Sequence, residues 1–189
     1  MTKRRLFIAI NLPAGIKDKL IDRQRKWADL PMRWTPKTNL HITLVFIGYV
    51  DNDEMYEIIN IVKETAKRHN SFDINLERII LGPPHKPPKM VWVEGEKSEE
   101  IAELKNDLEE SLLESNNSGY RKQEIRAYRP HITLGRIQHD EWRRLDFQPE
   151  IDEKFNFNFP IESIEVMQSD LKRNGAKYTI LESIELGKL

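Results

Sequence analysis

The chain of 189 residues contains no cysteine. This absence excludes a disulfide framework, thiolate zinc sites, iron–sulfur clusters and every mechanism that uses a cysteine nucleophile. Long hydrophobic runs are also missing. No stretch approaches the roughly eighteen apolar residues of a membrane-spanning helix, and the apolar run at residues 6–10 is too short for a secretory signal. We therefore expect a cytoplasmic protein with no membrane partner.

An excess of charge of either sign is missing as well. The chain has 30 Lys and Arg against 31 Asp and Glu, which gives a formal net charge of -1. Long-range attraction cannot hold such a chain on a polyanion, so any contact with nucleic acid must be local. The length, with 39% apolar residues, favours one globular domain or two small lobes that share a core.

Hydrophobic periodicity divides the chain into strands and helices. Asp51 and Glu54 form a capping-box pattern at a helix start, and the four prolines of residues 82–88 exclude regular structure there. The predicted helices cover residues 13–30, a segment after Asp51 and residues 98–115. The predicted strands are residues 6–10, 40–47, 72–81, 90–93, a segment at Ile132, 155–159, 164–168 and 178–186, the last two joined by a turn at 172–175.

One four-residue motif occurs twice in the chain. His41-Ile-Thr-Leu44 and His131-Ile-Thr-Leu134 are identical, although the whole chain has only five histidines. Each copy follows a strand and a helix, so the two halves read as copies of one strand–helix–strand unit. The fold class is therefore predicted to be α+β, with two lobes related by an approximate twofold axis and the proline loop as the crossover.

The repeat places one imidazole beside one hydroxyl in each lobe. Because side chains alternate along a strand, His41 and Thr43 share one face, and so do His131 and Thr133. If the twofold brings both faces to one groove, two imidazoles can act as acid and base at phosphorus, and each hydroxyl can donate to a phosphate oxygen. The pattern thus predicts these four residues as a catalytic site.

Two other interpretations of these histidines are open. A single histidine on a strand is more often a packing or surface residue, and it is the matched pair that favours catalysis. A metal site is disfavoured, because two histidines without a carboxylate at ligand spacing make a poor zinc site. We expect no metal and no cofactor.

These residues resemble the 2H phosphoesterase superfamily. The resemblance rests on Trp34, residues 40–48 (LHITLVFIG) and residues 129–136 (RPHITLGR). The ends of the chain are similar too, namely residues 5–10 and the closing hairpin with Ser169-Asp170-Leu171, Gly175 and Tyr178. Within the superfamily the chain is most similar to the bacterial and archaeal RNA 2′,3′-cyclic phosphodiesterases, historically called 2′-5′ RNA ligases. It departs from their pattern at Tyr128, where Phe is frequent, and at Gly135, where Ala is common.

The resemblance implies a fold and a reaction. Residues 1–189 would form a single bilobal domain, in which antiparallel sheets line a central cleft, helices lie outside and C-terminal strands complete the sheets. The reaction would be the metal-independent hydrolysis of an RNA 2′,3′-cyclic end to a 2′-phosphomonoester. On the family pattern, His41 donates a proton to the departing 3′ oxygen and His131 activates water. The two motifs are identical in sequence, so the residues alone do not show which histidine is the proton donor and which is the acceptor.

Several residues are candidates for binding RNA. Arg129 shares the face of His131 by parity, whereas strict alternation places Arg136 on the opposite face. Either the strand twists or bulges near Gly135, or Arg136 is only a rim residue. Guanidinium groups suit phosphate and aromatic rings suit unpaired bases. The candidates are Arg136, Arg129 and Arg126, with Phe7, Tyr178 and Trp34 as possible stacking residues; Phe7 and Trp92 also fit a core position. His69, His85 and His139 fit the surface.

Two other functions use the same fold. One is a 2′-5′ phosphodiester ligase or hydrolase acting with the same four residues, and the other is a module that binds RNA ends without catalysis. The expected partners are RNA ends or nucleotides that carry a 2′,3′-cyclic phosphate, and the expected state is a monomer.

Overall fold

The computed structural model describes residues 3–84, 87–121, 128–173 and 175–187. Within these ranges the chain forms nine strands and four α-helices. The strands are β1 (Arg4–Asn11), β2 (Met32–Trp34), β3 (His41–Val50), β4 (Phe72–Gly82), β5 (Met90–Gly95), β6 (His131–Ile137), β7 (Asp152–Ile161), β8 (Ser163–Lys172) and β9 (Gly175–Glu185). The helices are α1 (Ala14–Arg25), α2 (Asn52–Ala66), α3 (Glu99–Glu114) and α4 (His139–Trp142), with a 3-10 turn at Lys37–Asn39.

The strands form a curled antiparallel sheet in two halves. The order is β7-β4-β5-β6-β3-β1-β8-β9, and β2 pairs with β6. The halves meet where β3 pairs with β6, and the one residue pair recorded there is Ile42 with Ile132. The α+β prediction, with two related halves around a cleft and helices outside, is confirmed.

The helices pack behind the sheet and reach across the junction. Gln24 on α1, which follows β1 of one half, donates to the carbonyl oxygen of Leu134 on β6 of the other half, at 3.0 Å. Helices α2 and α3 are linked by Asp107, which accepts hydrogen bonds from Arg68 and lies 2.8 Å from Nε2 of His69. The surface prediction for His69 is therefore wrong, because its side chain is half-buried between α2 and α3.

Local signals predicted the start of α2 better than the end of α1. The capping box is present, because the Asp51 carboxylate accepts from the backbone N–H of Glu54 and the Glu54 carboxylate accepts from that of Asp51. In contrast, the predicted helix 13–30 ends at Arg25. The backbone N–H groups of Lys26 and Trp27 bond three residues back, so the last turn tightens and the chain turns away.

Strand β2 was not predicted. It has only three residues, too few for a period to be visible, and it depends on pairing with β6. Trp34 lies opposite Gly135, where a Cβ atom would stand 2.8 Å from the indole ring. Gly135 therefore makes room for the tryptophan, which packs against the core.

Two sequence predictions lie outside the described residues. They concern Arg126, predicted to bind RNA, and His85, predicted to lie on the surface. Within the described ranges, no helix has the length and apolar content needed to cross a membrane.

The capping box generates a test of the fold. Replacing Asp51 with Ala removes the acceptor for the Glu54 N–H and should cost about 1 kcal/mol of unfolding free energy, or about 2–4 °C in Tm. Thermal unfolding followed by circular dichroism measures the shift. Asp53→Ala is the control, since Asp53 is exposed in the same first turn but makes no capping bond; an equal shift in both variants would contradict the capping role.

Candidate active site

The junction of the two half-sheets brings the four predicted residues together. Ile42 and Ile132 pair across it and are fully buried in the core. Because side chains alternate along a strand, the residues on either side of each isoleucine point to the opposite face, which is the cleft. The antiparallel pairing directs His41 towards Thr133 and Thr43 towards His131.

Backbone carbonyls orient both imidazoles in the same way. Nδ1 of His41 lies 2.7 Å from the carbonyl oxygen of Asn39, and Nδ1 of His131 lies 2.9 Å from that of Arg129. A carbonyl can only accept, so Nδ1 carries the hydrogen in each neutral ring. Both Nε2 atoms are then unprotonated proton acceptors. The Asn39 side chain in turn donates to the backbone of Ala176 at 2.6 Å, which ties this carbonyl to β9.

The two threonine hydroxyls have different partners. The Thr43 hydroxyl lies 2.9 Å from Nε2 of His41 and donates to it. The Thr133 hydroxyl lies 3.9 Å from the sulfur of Met90, a weak acceptor. Both hydroxyls can exchange these contacts for the stronger acceptor that a phosphate oxygen provides.

An aromatic ring supports each imidazole. Phe7 on β1 lies 5.0 Å from His41 between ring centres, and Trp92 on β5 stacks on His131 at 4.0 Å. Tyr178 on β9 makes a T-shaped contact with His41, with 5.2 Å between ring centres. Phe7 is only 3% exposed, so its ring offers little area for a base to stack on. Its role in this geometry is to pack beneath His41, and the binding roles of Phe7 and Tyr178 stay predictions.

Burial lowers the pKa of both histidines. The pKa of His41 falls to about 4, mainly through desolvation, and the nearby charges of Lys17 and His131 lower it further. The pKa of His131 is also lowered by burial, but the Glu94 carboxylate opposes this shift. Glu94 lies directly across from His131 in the β5–β6 pairing. Both rings are therefore neutral at pH 7, and His131 has the carboxylate that favours its cation.

Arg136 points into the cleft because β6 contains a bulge. The pairing of β5 with β6 shifts between Val91–Gly135 and Trp92–Thr133, which leaves one extra residue on β6. This bulge restores Arg136 to the face of Thr133, and its Nη1 lies 3.4 Å from the same Met90 sulfur. Of the two alternatives left by the sequence, the bulge is correct.

The other predicted binding residues have separate positions. The Arg129 guanidinium lies at the cleft 4.0 Å from the Glu94 carboxylate. Trp34 packs on Gly135 from the core side, away from the four catalytic candidates. Arg33, its neighbour, lies opposite Arg136 and is exposed.

Sequence reasoning missed four groups close to the site. Glu94 and Met90 could have been found from the alternation of β5 around Trp92, whereas Arg33 required knowledge of β2. Lys17, which is 9% exposed on α1, carried no signal because only folding brings α1 beside β1, where its ammonium donates to Asn11 at 2.7 Å.

Tyr128 connects the two halves at the site. Its hydroxyl donates to the backbone carbonyl of Thr43 at 2.8 Å, and burial raises its pKa, so it remains a neutral donor. A phenylalanine at this position could not make that bond. The contact holds β3 to the segment that precedes β6.

Known proteins resemble this chain over most of its length. A family model described as the 2′-5′ RNA ligase superfamily matches residues 17–173. The RNA 2′,3′-cyclic phosphodiesterase of Methanocaldococcus jannaschii is 29% identical over 94% of this chain and 98% of its own length. The protein of the same name from Thermus thermophilus is 30% identical over 96% of this chain and 90% of its own length.

Solved structures share the fold. E. coli LigT complexed with 3′-AMP superposes with a TM-score of 0.77 at 26% identity, covering 98% of this chain and 99% of LigT. The Thermus thermophilus protein TT0787 superposes with a TM-score of 0.82 at 24% identity, covering 97% and 98% of the two chains.

The site geometry predicts a tautomer and a titration. In nitrogen-15 NMR spectra, His41 should be the Nδ1–H tautomer at pH 7 and should gain a proton only near pH 4. Thr43→Val should raise this pKa, because the hydroxyl donates to Nε2 and so stabilises the neutral ring. Inorganic phosphate should also raise it, since an anion favours the imidazolium. A wild-type His41 that titrates near 6.5 would refute the assigned environment.

Proposed function

Because the chain belongs to the 2′-5′ RNA ligase superfamily, we propose that it hydrolyses RNA 2′,3′-cyclic phosphodiester ends to 2′-phosphomonoesters. His41 and His131 act as the acid/base pair, and Thr43 and Thr133 hold the phosphate. No metal takes part, since the two imidazoles move both protons and hydrogen-bond donors balance the phosphate charge.

One observation carries the proposal. Two imidazoles with unprotonated Nε2 atoms and two hydroxyls flank a single strand pairing on the cleft face. A phosphate between them can meet one hydroxyl and one imidazole from each half. In-line displacement at phosphorus needs such an arrangement, because the attacking and leaving oxygens lie on opposite sides of the phosphorus.

The surroundings distinguish the two histidines. On the His41 side the cleft face is aromatic, with Tyr178 and the exposed ring of Phe46. On the His131 side Trp92 stacks on the imidazole but is only 8% exposed, and the cleft face carries Arg136 and Arg129. A nucleoside packs better on the aromatic side. Its 3′ oxygen then faces His41, and water can approach from the side of His131, which is the assignment that the family resemblance implies.

The proposed step balances its protons. His131 takes a proton from water as the water oxygen bonds to phosphorus. The bond between phosphorus and the 3′ oxygen breaks, and a protonated His41 gives that oxygen a proton. The products are a 3′-hydroxyl and a 2′-phosphomonoester. Since both rings are neutral in the free protein, the pair must take up one proton when substrate binds, and the anionic phosphodiester favours this uptake. The low pKa of His41 makes its imidazolium the stronger acid, and Glu94 stabilises the charge that His131 gains as the base.

Hydrogen-bond donors stabilise the transition state. The hydroxyls of Thr43 and Thr133 and the guanidinium of Arg136 can donate to the non-bridging oxygens, where charge accumulates. Among the described residues the Arg136 side chain makes one weak contact, with the Met90 sulfur, so it can turn to a phosphate at little cost. The relatives named RNA 2′,3′-cyclic phosphodiesterase and the 3′-AMP bound by LigT support a substrate of this class.

Loss of either imidazole tests the proposal. His41→Ala and His131→Ala should each lower kcat/KM on a nucleoside 2′,3′-cyclic phosphate by at least about 100-fold, since general acid or base catalysis contributes that much. Product analysis by phosphorus NMR should show the 2′-phosphomonoester. His139→Ala is the matched control, because His139 is exposed outside the cleft at the start of α4.

The same assay is run with EDTA and should keep its full rate. Activity that disappears with the chelator, or that persists in the His41 variant, would reject the mechanism.

The depressed pKa values predict the pH dependence. The productive free enzyme carries one proton on the pair, and both pKa values are lowered from 6.5. This form is most abundant below pH 6.5, so kcat/KM should follow a bell whose maximum lies below 6.5 and should fall about tenfold per pH unit above it. The maximum of kcat should lie at higher pH, because bound substrate raises the pKa values. A kcat/KM maximum above pH 7.5 would contradict this electrostatic account.

A further inference from the structure

An RNA end is attached to a chain that must leave the cleft over one of the two half-sheets. On the proposed function, the terminal cyclic phosphate binds between His41 and His131, and the nucleotides on its 5′ side continue from there. The two half-sheets present very different surfaces to them.

The cleft face of the second half is charged with both signs. Arg78 lies opposite Glu94 in the β4–β5 pairing and also forms an ion pair with Asp152. Glu94 faces the Arg129 guanidinium at 4.0 Å. These arginines already have carboxylate partners, and the carboxylates repel a phosphate backbone. This face is a poor path for RNA.

The cleft face of the first half is apolar and open. Phe46 lies opposite Phe7, and Tyr49 lies opposite Arg5, so Tyr49 shares the face on which Phe7 supports His41. Phe46 is 67% exposed, Tyr49 62% and Leu171 65%. Same-face neighbours on a strand stand about 7 Å apart, so Arg5 lies one such step beyond Phe7 on β1. Tyr49 lies opposite Arg5, because a second bulge adds one residue to β3 between Phe46 and Gly48. Exposed rings in this arrangement suit the stacking of successive unpaired bases.

Two polar side chains on this face have no partner within the described ranges. The Arg5 guanidinium makes no hydrogen bond or ion pair there, in contrast to that of Arg4, which bonds to Gln168 on the other face. The hydroxyl of Ser169, on the cleft face of β8 beside Tyr178, is buried and has no partner in the part of the chain that the structure describes. A guanidinium and a hydroxyl next to exposed rings match a phosphate or ribose next to a base.

We propose that Tyr49 and Arg5 form a second nucleotide subsite, which binds the RNA chain on the 5′ side of the reacting end by stacking on the ring and pairing with the guanidinium. The subsite makes an oligonucleotide end a better substrate than a cyclic mononucleotide. It uses none of the groups that perform the chemistry.

The test compares two substrates. Values of kcat/KM are measured for a nucleoside 2′,3′-cyclic phosphate and for an eight-nucleotide single-stranded RNA with a 2′,3′-cyclic end. The wild type should prefer the RNA. Tyr49→Ala should lower kcat/KM on the RNA by about 5- to 150-fold, the range for loss of one stacked base, with a much smaller change on the mononucleotide. Tyr56→Ala is the matched control, since Tyr56 is 63% exposed but lies on helix α2 behind the sheet.

Binding is measured separately from catalysis. Fluorescence anisotropy with the same RNA carrying a terminal 2′-phosphate should show weaker binding to Tyr49→Ala than to wild type. Arg5→Gln should reduce the slope of log K against log salt by about 0.7, the contribution of one phosphate contact in a single strand. Tyr49→Ala that behaves like Tyr56→Ala in both assays, or that loses both substrates equally, would overturn the subsite. A wild type that binds RNA through Tyr49 but hydrolyses neither substrate would instead refute the proposed function.

Discussion

The pairing of Ile42 with Ile132 is the contact on which the site depends. Both side chains are buried in the core, so the flanking histidines and threonines must point the other way, into the cleft. The same pairing holds the two half-sheets together along the strand order. A change that separated these isoleucines would expose core surface and also separate the two imidazoles, so stability and site geometry are linked at one position.

Matching irregularities follow both copies of the motif. The β1–β3 pairing shifts between Ile8–Val45 and Ala9–Thr43, and the β5–β6 pairing shifts between Val91–Gly135 and Trp92–Thr133. The extra residue is the leucine of each motif. Because of it, the leucine and the residue after it are both buried, and the following residue points into the cleft. Those residues are Phe46 and Arg136. The two halves therefore have the same backbone geometry at this point but different side chains, an aromatic ring in one half and a guanidinium in the other.

The two histidines also differ in their charged neighbours. Both imidazoles lose solvent, and both bond a backbone carbonyl through Nδ1, so their orientation is alike. Lys17 disfavours a charge on His41, whereas Glu94 favours one on His131. Burial thus opposes protonation of either ring, and an anionic substrate supplies the field that lets the pair hold one proton. Substrate binding and protonation are coupled in such a site.

The sequence by itself determined the features that depend on neighbouring residues. Alternation identified the strands and the shared face of each His-x-Thr pair, the capping box located the start of α2, and the repeated word predicted the related halves. Only the tertiary structure decided the face of Arg136, the pairing of β2, the bond from Tyr128 to Thr43 and the placement of Glu94 and Lys17 beside the histidines. These features arise where strands and helices distant in sequence meet. A bulge or a three-residue strand produces no hydrophobic periodicity that the sequence alone would show. The two identical His-Ile-Thr-Leu motifs therefore differ only through the residues that folding brings beside them.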